Sequence, residues 1–134
     1  MPIALSPDQQ EQMLSAARAA FKNAHAPYSN FKVGASILTE SGKHYSGCNV
    51  ENASYGLTIC AERNAIFAAV AAEGTGMRIQ AVAVATERDV PCAPCGACRQ
   101  VIYEFGPDAI VLFRGHSGTE QMAITNLLPE GFRL

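Results

Sequence analysis

The sequence lacks a large excess of either positive or negative charge. Its 134 residues include 10 Lys or Arg and 12 Asp or Glu, for a formal net charge of -2. Without a basic excess, a surface that binds nucleic acid through its phosphates is not expected. A charged fraction of only 16%, beside a hydrophobic fraction of 49%, also argues against intrinsic disorder. We therefore expect a folded protein that does not bind nucleic acid.

Long hydrophobic runs are missing as well. No apolar stretch approaches the ~20 residues that span a bilayer, so no membrane partner is expected. The N-terminal sequence MPIALSPDQQ has no positively charged segment followed by an apolar one, as a signal peptide would. The sequence thus predicts a cytoplasmic protein. Its length fits one domain over residues 1–134 with a hydrophobic core of its own.

The cysteines do not suit a disulfide framework. There are five of them, an odd number, and three lie in the segment CAPCGAC at 92–98. Clustered thiols in a reducing compartment are more often metal ligands or redox groups. No thioredoxin-like strand precedes the C-x-x-C segment, which disfavours the redox interpretation. We therefore treat the cluster as a candidate metal site.

Hydrophobic periodicity predicts a mixed α/β domain. A helix begins after Ser6, with Pro7 at its first position, and its apolar stripe runs until Pro27 ends it. Then follow strands at 33–39 and 43–50, a helix at 60–72, a strand at 79–86, a helix at 96–105, and strands at 109–114 and 120–124. A hairpin followed by alternating strands and helices predicts a three-layer α/β/α sandwich with a mixed sheet.

Three cysteines fall where two of these helices begin. Cys60 starts the second predicted helix, and Cys95 and Cys98 lie at the start of the third. Residues three apart share a helix face, and a helix N-terminus favours thiolates, so the three sulfurs can bind one metal ion. Sulfur ligands select zinc, and three protein ligands rather than four are typical of a catalytic zinc site.

Glu62 lies two residues after Cys60 and points to a different side of the helix. It is badly placed as a ligand but can put a carboxylate beside the metal. The pattern C-x-E followed by P-C-x-x-C is the three-cysteine variant of the zinc-deaminase signature, in which zinc activates water and the glutamate transfers protons. An alternative stays open: Cys92 could join Cys60, Cys95 and Cys98 in a closed, structural four-cysteine site.

Several segments of the chain resemble the small homotetrameric cytidine deaminases. They are PYSNFKVGA (27–35), GCNVENASYGLTICAERNA (47–65), PCGACRQV (94–101) and LLPEGF (127–132). With their connecting elements they cover nearly the whole chain, and their order makes the resemblance specific. It implies hydrolytic deamination of cytidine and 2′-deoxycytidine to the uridine counterparts, with one zinc ion per chain and a role in pyrimidine salvage.

The resemblance also implies how the nucleoside is held. Glu62 is the expected catalytic acid–base, and the aromatic ring of Phe31 packs against the pyrimidine. Asn49 and Glu51, which share a strand face, are expected to hold the ribose. The backbone at Ala61, at a helix N-terminus, is expected beside the pyrimidine edge.

Further residues are assigned by the same resemblance. Arg63 and Arg99 are expected to donate hydrogen bonds to the ligand sulfurs and offset their negative charge. Ala53, Tyr55 and Phe132 are expected to reach the nucleoside pocket of another subunit in a homotetramer with shared active sites. The alternative to the tetramer is a monomer with these aromatics in its own core. The alternative to cytidine as the substrate is another aminopyrimidine nucleoside such as blasticidin S.

Overall fold

A five-stranded mixed sheet forms the centre of the molecule. The structure, a computed structural model, describes residues 4–134, and the strand order in the sheet is β2-β1-β3-β4-β5. The strands are Val33–Thr39 (β1), His44–Cys48 (β2), Ile79–Thr86 (β3), Ile110–Gly115 (β4) and Gly118–Ala123 (β5). Strands β3 and β4 run parallel, whereas the other neighbouring pairs are antiparallel.

Helices cover both faces of this sheet. They are Pro7–Phe21 (α1), Ala61–Glu73 (α2), Gly96–Phe105 (α3) and Ile124–Leu127 (α4), and a short 3-10 helix lies at Tyr55–Leu57. Helix α1 packs on one face, and α2, α3 and α4 pack on the other. The predicted three-layer α/β/α sandwich with a mixed sheet is confirmed. Within residues 4–134, no helix has the length and apolar character needed to cross a membrane.

The hydrophobic core has one part on each face of the sheet. The larger part lies under α2, α3 and α4 and includes the fully buried side chains of Ile66, Ile102 and Ile124. The smaller part joins Met13 of α1 to Leu112 of β4. Strand β3 contributes side chains to both parts, which explains why its sequence is apolar almost throughout.

The largest difference from the predicted boundaries is at the end of α1. The apolar pattern continues to Pro27, but the helix ends at Phe21. The next residues form turns, and His25 then pairs with Val50 in an isolated parallel bridge. This tertiary pairing draws the chain away from the helix axis, so the helix ends before the predicted boundary at Pro27.

Two glycines allow the helices to approach the sheet closely. A side chain at Gly34 in β1 would overlap the backbone carbonyl of Ala17 in α1. A Cβ atom at Gly47 in β2 would lie 2.5 Å from the backbone nitrogen of Ala65 in α2. Backbone atoms cannot swing aside as a flexible side chain can. Because Gly47 has no side chain, α2 and its N-cap residue can lie close to β2.

Candidate metal centre and active site

Cys60, Cys95 and Cys98 converge where α2 and α3 begin. Cys60 is the N-cap of α2, and Cys95 is the N-cap of α3, one turn before Cys98. Their three Sγ atoms all lie within 4.8 Å of one another. The Sγ atoms of Cys95 and Cys98 are 3.5 Å apart, and those of Cys60 and Cys95 are 3.8 Å apart. The three thiols that the spacing singled out thus form one cluster that can hold a metal ion.

The chemistry of this donor set fits zinc. Soft sulfur ligands favour zinc over hard cations such as calcium and magnesium. Hydrogen bonds from Cys98 and Arg63 lower the pKa of the Cys60 thiol well below its ordinary value, which favours the thiolate that a metal requires. Arg63 Nη2 lies 3.4 Å from Cys60 Sγ. Arg63 is therefore placed as expected, with its positive charge against the sulfurs.

Cys92 stays outside the metal-binding cluster. The group of donor atoms that lie within 4.8 Å of one another contains the other three thiols and not Cys92. Cys92 instead lines the adjacent cavity, and burial raises the pKa of its thiol to about 11. The four-cysteine alternative is therefore wrong for this geometry, because Cys92 lies outside the converging thiols, and the cluster has three protein ligands.

A cavity of about 250 Å³ opens beside the cluster. Besides Cys60 and Cys95, the predicted site residues along its wall are Phe31, Asn49, Glu51, Ala61 and Glu62. They come from the segment entering β1, the segment leaving β2, and the first turn of α2. The fold thus places the residues assigned to the pyrimidine, the ribose and proton transfer around one space next to the thiols.

Glu62 lies in the first turn of α2 and is only 4% exposed. Burial raises the pKa of its carboxyl to about 7, and the negative charge of Cys60 acts in the same direction. A carboxyl with this pKa can accept and release a proton near neutral pH. Its oxygen atoms are not among the three donor atoms of the metal-binding cluster. Glu62 therefore borders the candidate metal position without belonging to the ligand set.

The Asn49 side chain holds the backbone that enters β1. Its Oδ1 accepts a hydrogen bond from the Val33 amide at 2.9 Å, and its Nδ2 donates to the Phe31 carbonyl at 2.8 Å. Each of these amide atoms can form one more hydrogen bond. Asn49 thus fixes the segment that carries Phe31 into β1, and each of its side-chain amide atoms keeps one hydrogen-bonding position for the cavity.

Glu51 is bound by the same stretch of chain. Its Oε1 accepts from the backbone amides of Tyr28 at 2.9 Å and Ser29 at 3.1 Å, and its Oε2 accepts from the Ser29 hydroxyl. The Ser29 hydroxyl, followed by the two amides, lowers the pKa of the Glu51 carboxyl below its ordinary value. These contacts join residues 22 or 23 positions apart. Because of that separation, the local sequence pattern did not reveal them.

Arg99 differs from its expected role. Its Nε donates to the Pro94 carbonyl at 2.7 Å, and its Nη1 donates to the Leu127 carbonyl at 2.9 Å. Both contacts are with backbone, so the expectation that Arg99 donates to a ligand sulfur is corrected. Arg99 instead ties the residue before Cys95 to the end of α4.

The residues expected to reach another subunit lie outside the core. Tyr55 is 76% exposed and Phe132 is 66% exposed, which excludes the alternative that they fill the core of a monomer. The Tyr55 ring packs edge-on against Tyr28, with ring centroids 5.8 Å apart, and it lines a second cavity that also includes Glu51. Ala53 is likewise exposed, two residues before Tyr55.

Known proteins are similar to this chain in sequence and architecture. Residues 7–114 match the family described as the cytidine and deoxycytidylate deaminase zinc-binding region. A protein named cytidine deaminase from Sporosarcina psychrophila is 42% identical over 125 residues, which cover 91% of this chain and 90% of that protein.

Two crystal structures extend the likeness to the fold. That of a cytidine deaminase from Burkholderia pseudomallei matches with a TM-score of 0.82 and 48% identity, over 91% of this chain and 98% of that one. That of a cytidine deaminase from Mycobacterium tuberculosis matches with a TM-score of 0.80 and 36% identity, over 92% and 97%. With its three-thiol cluster and adjacent buried glutamate, the chain belongs to the zinc-binding family of cytidine and deoxycytidylate deaminases.

Proposed function

We propose that this protein hydrolyses cytidine and 2′-deoxycytidine to uridine and 2′-deoxyuridine, with release of ammonia. The observation that carries this proposal is the position of Glu62, a buried carboxyl on the wall of a cavity that is also lined by two of the three zinc-binding cysteines, Cys60 and Cys95. Membership in the deaminase family supports the choice of reaction. The names of the similar proteins support the choice of nucleoside.

The zinc ion is assigned to Cys60, Cys95 and Cys98, the three thiols that lie within 4.8 Å of one another. When bound, zinc supplies Lewis-acid chemistry that lowers the pKa of water toward ~7. Arg63, at 3.4 Å from the Cys60 sulfur, offsets part of the negative charge that three thiolates bring to the site.

Glu62 carries the protons of the reaction. It accepts a proton from the attacking water and delivers it to ring atom N3, which makes C4 electrophilic. After the oxygen has added to C4, Glu62 moves the proton of the new hydroxyl to the amino group, which leaves as ammonia. The carboxylate ends in the state in which it began, and the atoms of cytidine and water are all present in uridine and ammonia.

The remaining cavity residues orient the substrate. Phe31 packs against the pyrimidine ring, and the backbone at Ala61 binds the pyrimidine edge. The unused hydrogen-bonding positions of Asn49 and Glu51 bind the sugar hydroxyls. Support comes from the shared cavity that these residues line and from the family to which the chain belongs.

The proposal extends to assembly and setting. The protein forms a homotetramer in which Ala53, Tyr55 and Phe132 reach a neighbouring subunit's nucleoside pocket. It acts in cytoplasmic pyrimidine salvage as a single domain over residues 1–134. The exposed aromatic rings of Tyr55, Phe132 and Phe67 support an assembly, because large apolar side chains at the surface are candidates for burial in an interface.

An ultraviolet assay of the purified, zinc-loaded protein with cytidine tests the proposed activity. Conversion to uridine by the wild type and its loss in Glu62→Gln are expected. Absence of conversion by the wild type would overturn the proposal. Blasticidin S is assayed in parallel, because a higher kcat/KM for it than for cytidine would assign the site to that class of aminopyrimidine nucleoside.

A further inference from the structure

The Ser29 hydroxyl connects two of the residues that face the substrate cavity. Its Oγ donates a hydrogen bond to Glu51 Oε2 and accepts one from the Phe31 amide at 3.1 Å. All three residues line the same cavity. Because a hydroxyl can donate and accept at once, one side chain links the carboxylate to the backbone of the aromatic residue.

The Glu51 carboxylate has little accepting capacity left. A carboxylate offers about four acceptor positions, two on each oxygen. Oε1 uses both of its positions on the amides of Tyr28 and Ser29, and Oε2 uses one on the Ser29 hydroxyl. A single position on Oε2 therefore remains for a ligand.

The Ser29 contact also fixes the orientation of this carboxylate. The hydroxyl holds Oε2 while the two amides hold Oε1, so rotation about the terminal bond of Glu51 would break all three hydrogen bonds. The same hydroxyl makes the largest contribution to lowering the pKa of the Glu51 carboxyl, which is ionised near neutral pH even at its ordinary value. An ionised acceptor forms stronger hydrogen bonds than a neutral one.

We propose that Ser29 is a positioning residue that directs the one free acceptor position of Glu51 at a single hydroxyl of the nucleoside sugar. The pair thereby discriminates between sugars that carry this hydroxyl and sugars that lack it. This inference rests on the proposed nucleoside deamination and adds a specificity determinant to it.

The test compares Ser29→Ala with Ser29→Thr, which keeps the hydroxyl, and with Ser15→Ala, a matched control in an exposed position of α1. Each variant is assayed with cytidine, 2′-deoxycytidine and 3′-deoxycytidine. Wild-type enzyme is expected to lose kcat/KM with whichever deoxy substrate lacks the hydroxyl that Glu51 binds. Thermal unfolding of each variant shows that it is folded.

Ser29→Ala is expected to raise KM for cytidine about tenfold, the scale of one hydrogen bond to a charged group, with kcat changed far less. The Ser29–Glu51 contact is remote from the reacting atoms, so its loss weakens the binding of the substrate and of the transition state by the same amount. In Ser29→Ala, the loss of kcat/KM caused by the missing sugar hydroxyl should be smaller than in the wild type by a similar factor. Ser29→Thr should show the same loss as the wild type. In a Glu51→Gln background, Ser29→Ala should have little further effect.

Equal losses of kcat/KM on all three substrates would overturn this inference and leave the proposed function intact. The same holds if Ser29→Ala exerts its full effect in the Glu51→Gln background. A wild-type enzyme that does not convert cytidine would overturn the proposed function and this inference with it. If Ser29→Ala does not fold, Ser29→Cys replaces it, because a thiol of similar size is a weaker hydrogen-bond donor.

Discussion

Glu62 and Cys60 are neighbours in one turn of helix, yet their side chains are assigned different tasks. Because the Glu62 oxygens are not among the three donor atoms of the cluster, Glu62→Gln is expected to retain zinc and the native fold. Removing a general acid–base group should lower kcat by at least ~10²-fold. Metal analysis and steady-state kinetics on the same sample check both parts. Loss of zinc in this variant would show that Glu62 binds the metal.

Cys92 provides a second residue-level prediction. It lies outside the group of converging thiols and lines the adjacent cavity instead. Cys92→Ser is therefore expected to bind one zinc ion per chain, as the wild type does, whereas Cys95→Ser should lose tight zinc binding. Metal content after dialysis measures the difference. If Cys92→Ser lost as much zinc as Cys95→Ser, Cys92 would be a fourth ligand and the prediction would be wrong.

Among individual residues, the sequence predicted those whose roles depend on their spacing along the chain. Cys95 and Cys98 share one helical turn, and Glu62 follows Cys60 closely, so their relation needs no tertiary information. The contacts of Ser29 and Arg99 depend on segments that meet only in the folded chain. Their partners are backbone groups or distant side chains, which leave no periodic signal in the sequence.

Among the elements, the end of α2 is attached to the β1–β2 hairpin by one carboxylate oxygen. Glu73 Oε2 accepts hydrogen bonds from Thr39 Oγ1, Ser41 Oγ and Tyr45 Oη, each at 2.9 Å. Partial burial acts to raise the pKa of Glu73, but these three donors outweigh it and the pKa is lowered. The ionised carboxylate therefore stabilises the packing of α2 against the hairpin.

Glu73→Gln is expected to lower the Tm at neutral pH, with exposed Glu104→Gln on α3 as the control. The pKa of Glu73 is lower in the folded state than in the unfolded state, where it is about 4.3. Ionised Glu73 therefore stabilises the fold at pH values above about 4.3, and this stabilisation is lost as the pH falls through the folded-state pKa. The Tm difference between wild type and Glu73→Gln should thus shrink below about pH 4. Thermal unfolding across this range measures it. A difference that does not change with pH would contradict the ionised role.

The elements themselves were predicted to different degrees. The bounds of β1, β3 and α3 agree with the sequence prediction, because the apolar runs of the strands and the Gly-Pro pair that follows α3 are local features of the sequence. The end of α1 was misplaced because a distant pairing, His25 with Val50, overrides a pattern that continues past the helix. Helix α4 and the 3-10 helix were missed, since four and three residues are too short to show a period.

For the whole molecule, the proposed homotetramer with shared active sites predicts complementation between subunits. Glu62→Gln chains lack the proton carrier but keep Tyr55, whereas Tyr55→Ala chains keep Glu62 and lack the exposed ring. When the two variants are dissociated and reassembled together, part of the lost activity is expected to return. Sedimentation of the wild type near four times the 14.2 kDa chain mass is the accompanying expectation. A monomer, or a mixture no more active than the average of its two parents, would show that each chain completes its own site.

The three thiols come from two places along the chain, Cys60 before β3 and the pair Cys95 and Cys98 after it. An extended, unfolded chain cannot hold all three sulfurs together, so the full ligand set exists only in the folded state. Zinc and folding are therefore thermodynamically linked, and free zinc at a hundredfold excess over its Kd stabilises the fold by about 2.7 kcal/mol.

The melting temperature should accordingly rise with buffered free zinc and fall on chelation, and Cys60→Ser should flatten this dependence. A wild-type Tm that is indifferent to free zinc would contradict the linkage. Where the linkage holds, the supply of one trace element governs how long the folded protein survives as well as how fast it works, and scarcity of zinc directs the chain toward degradation.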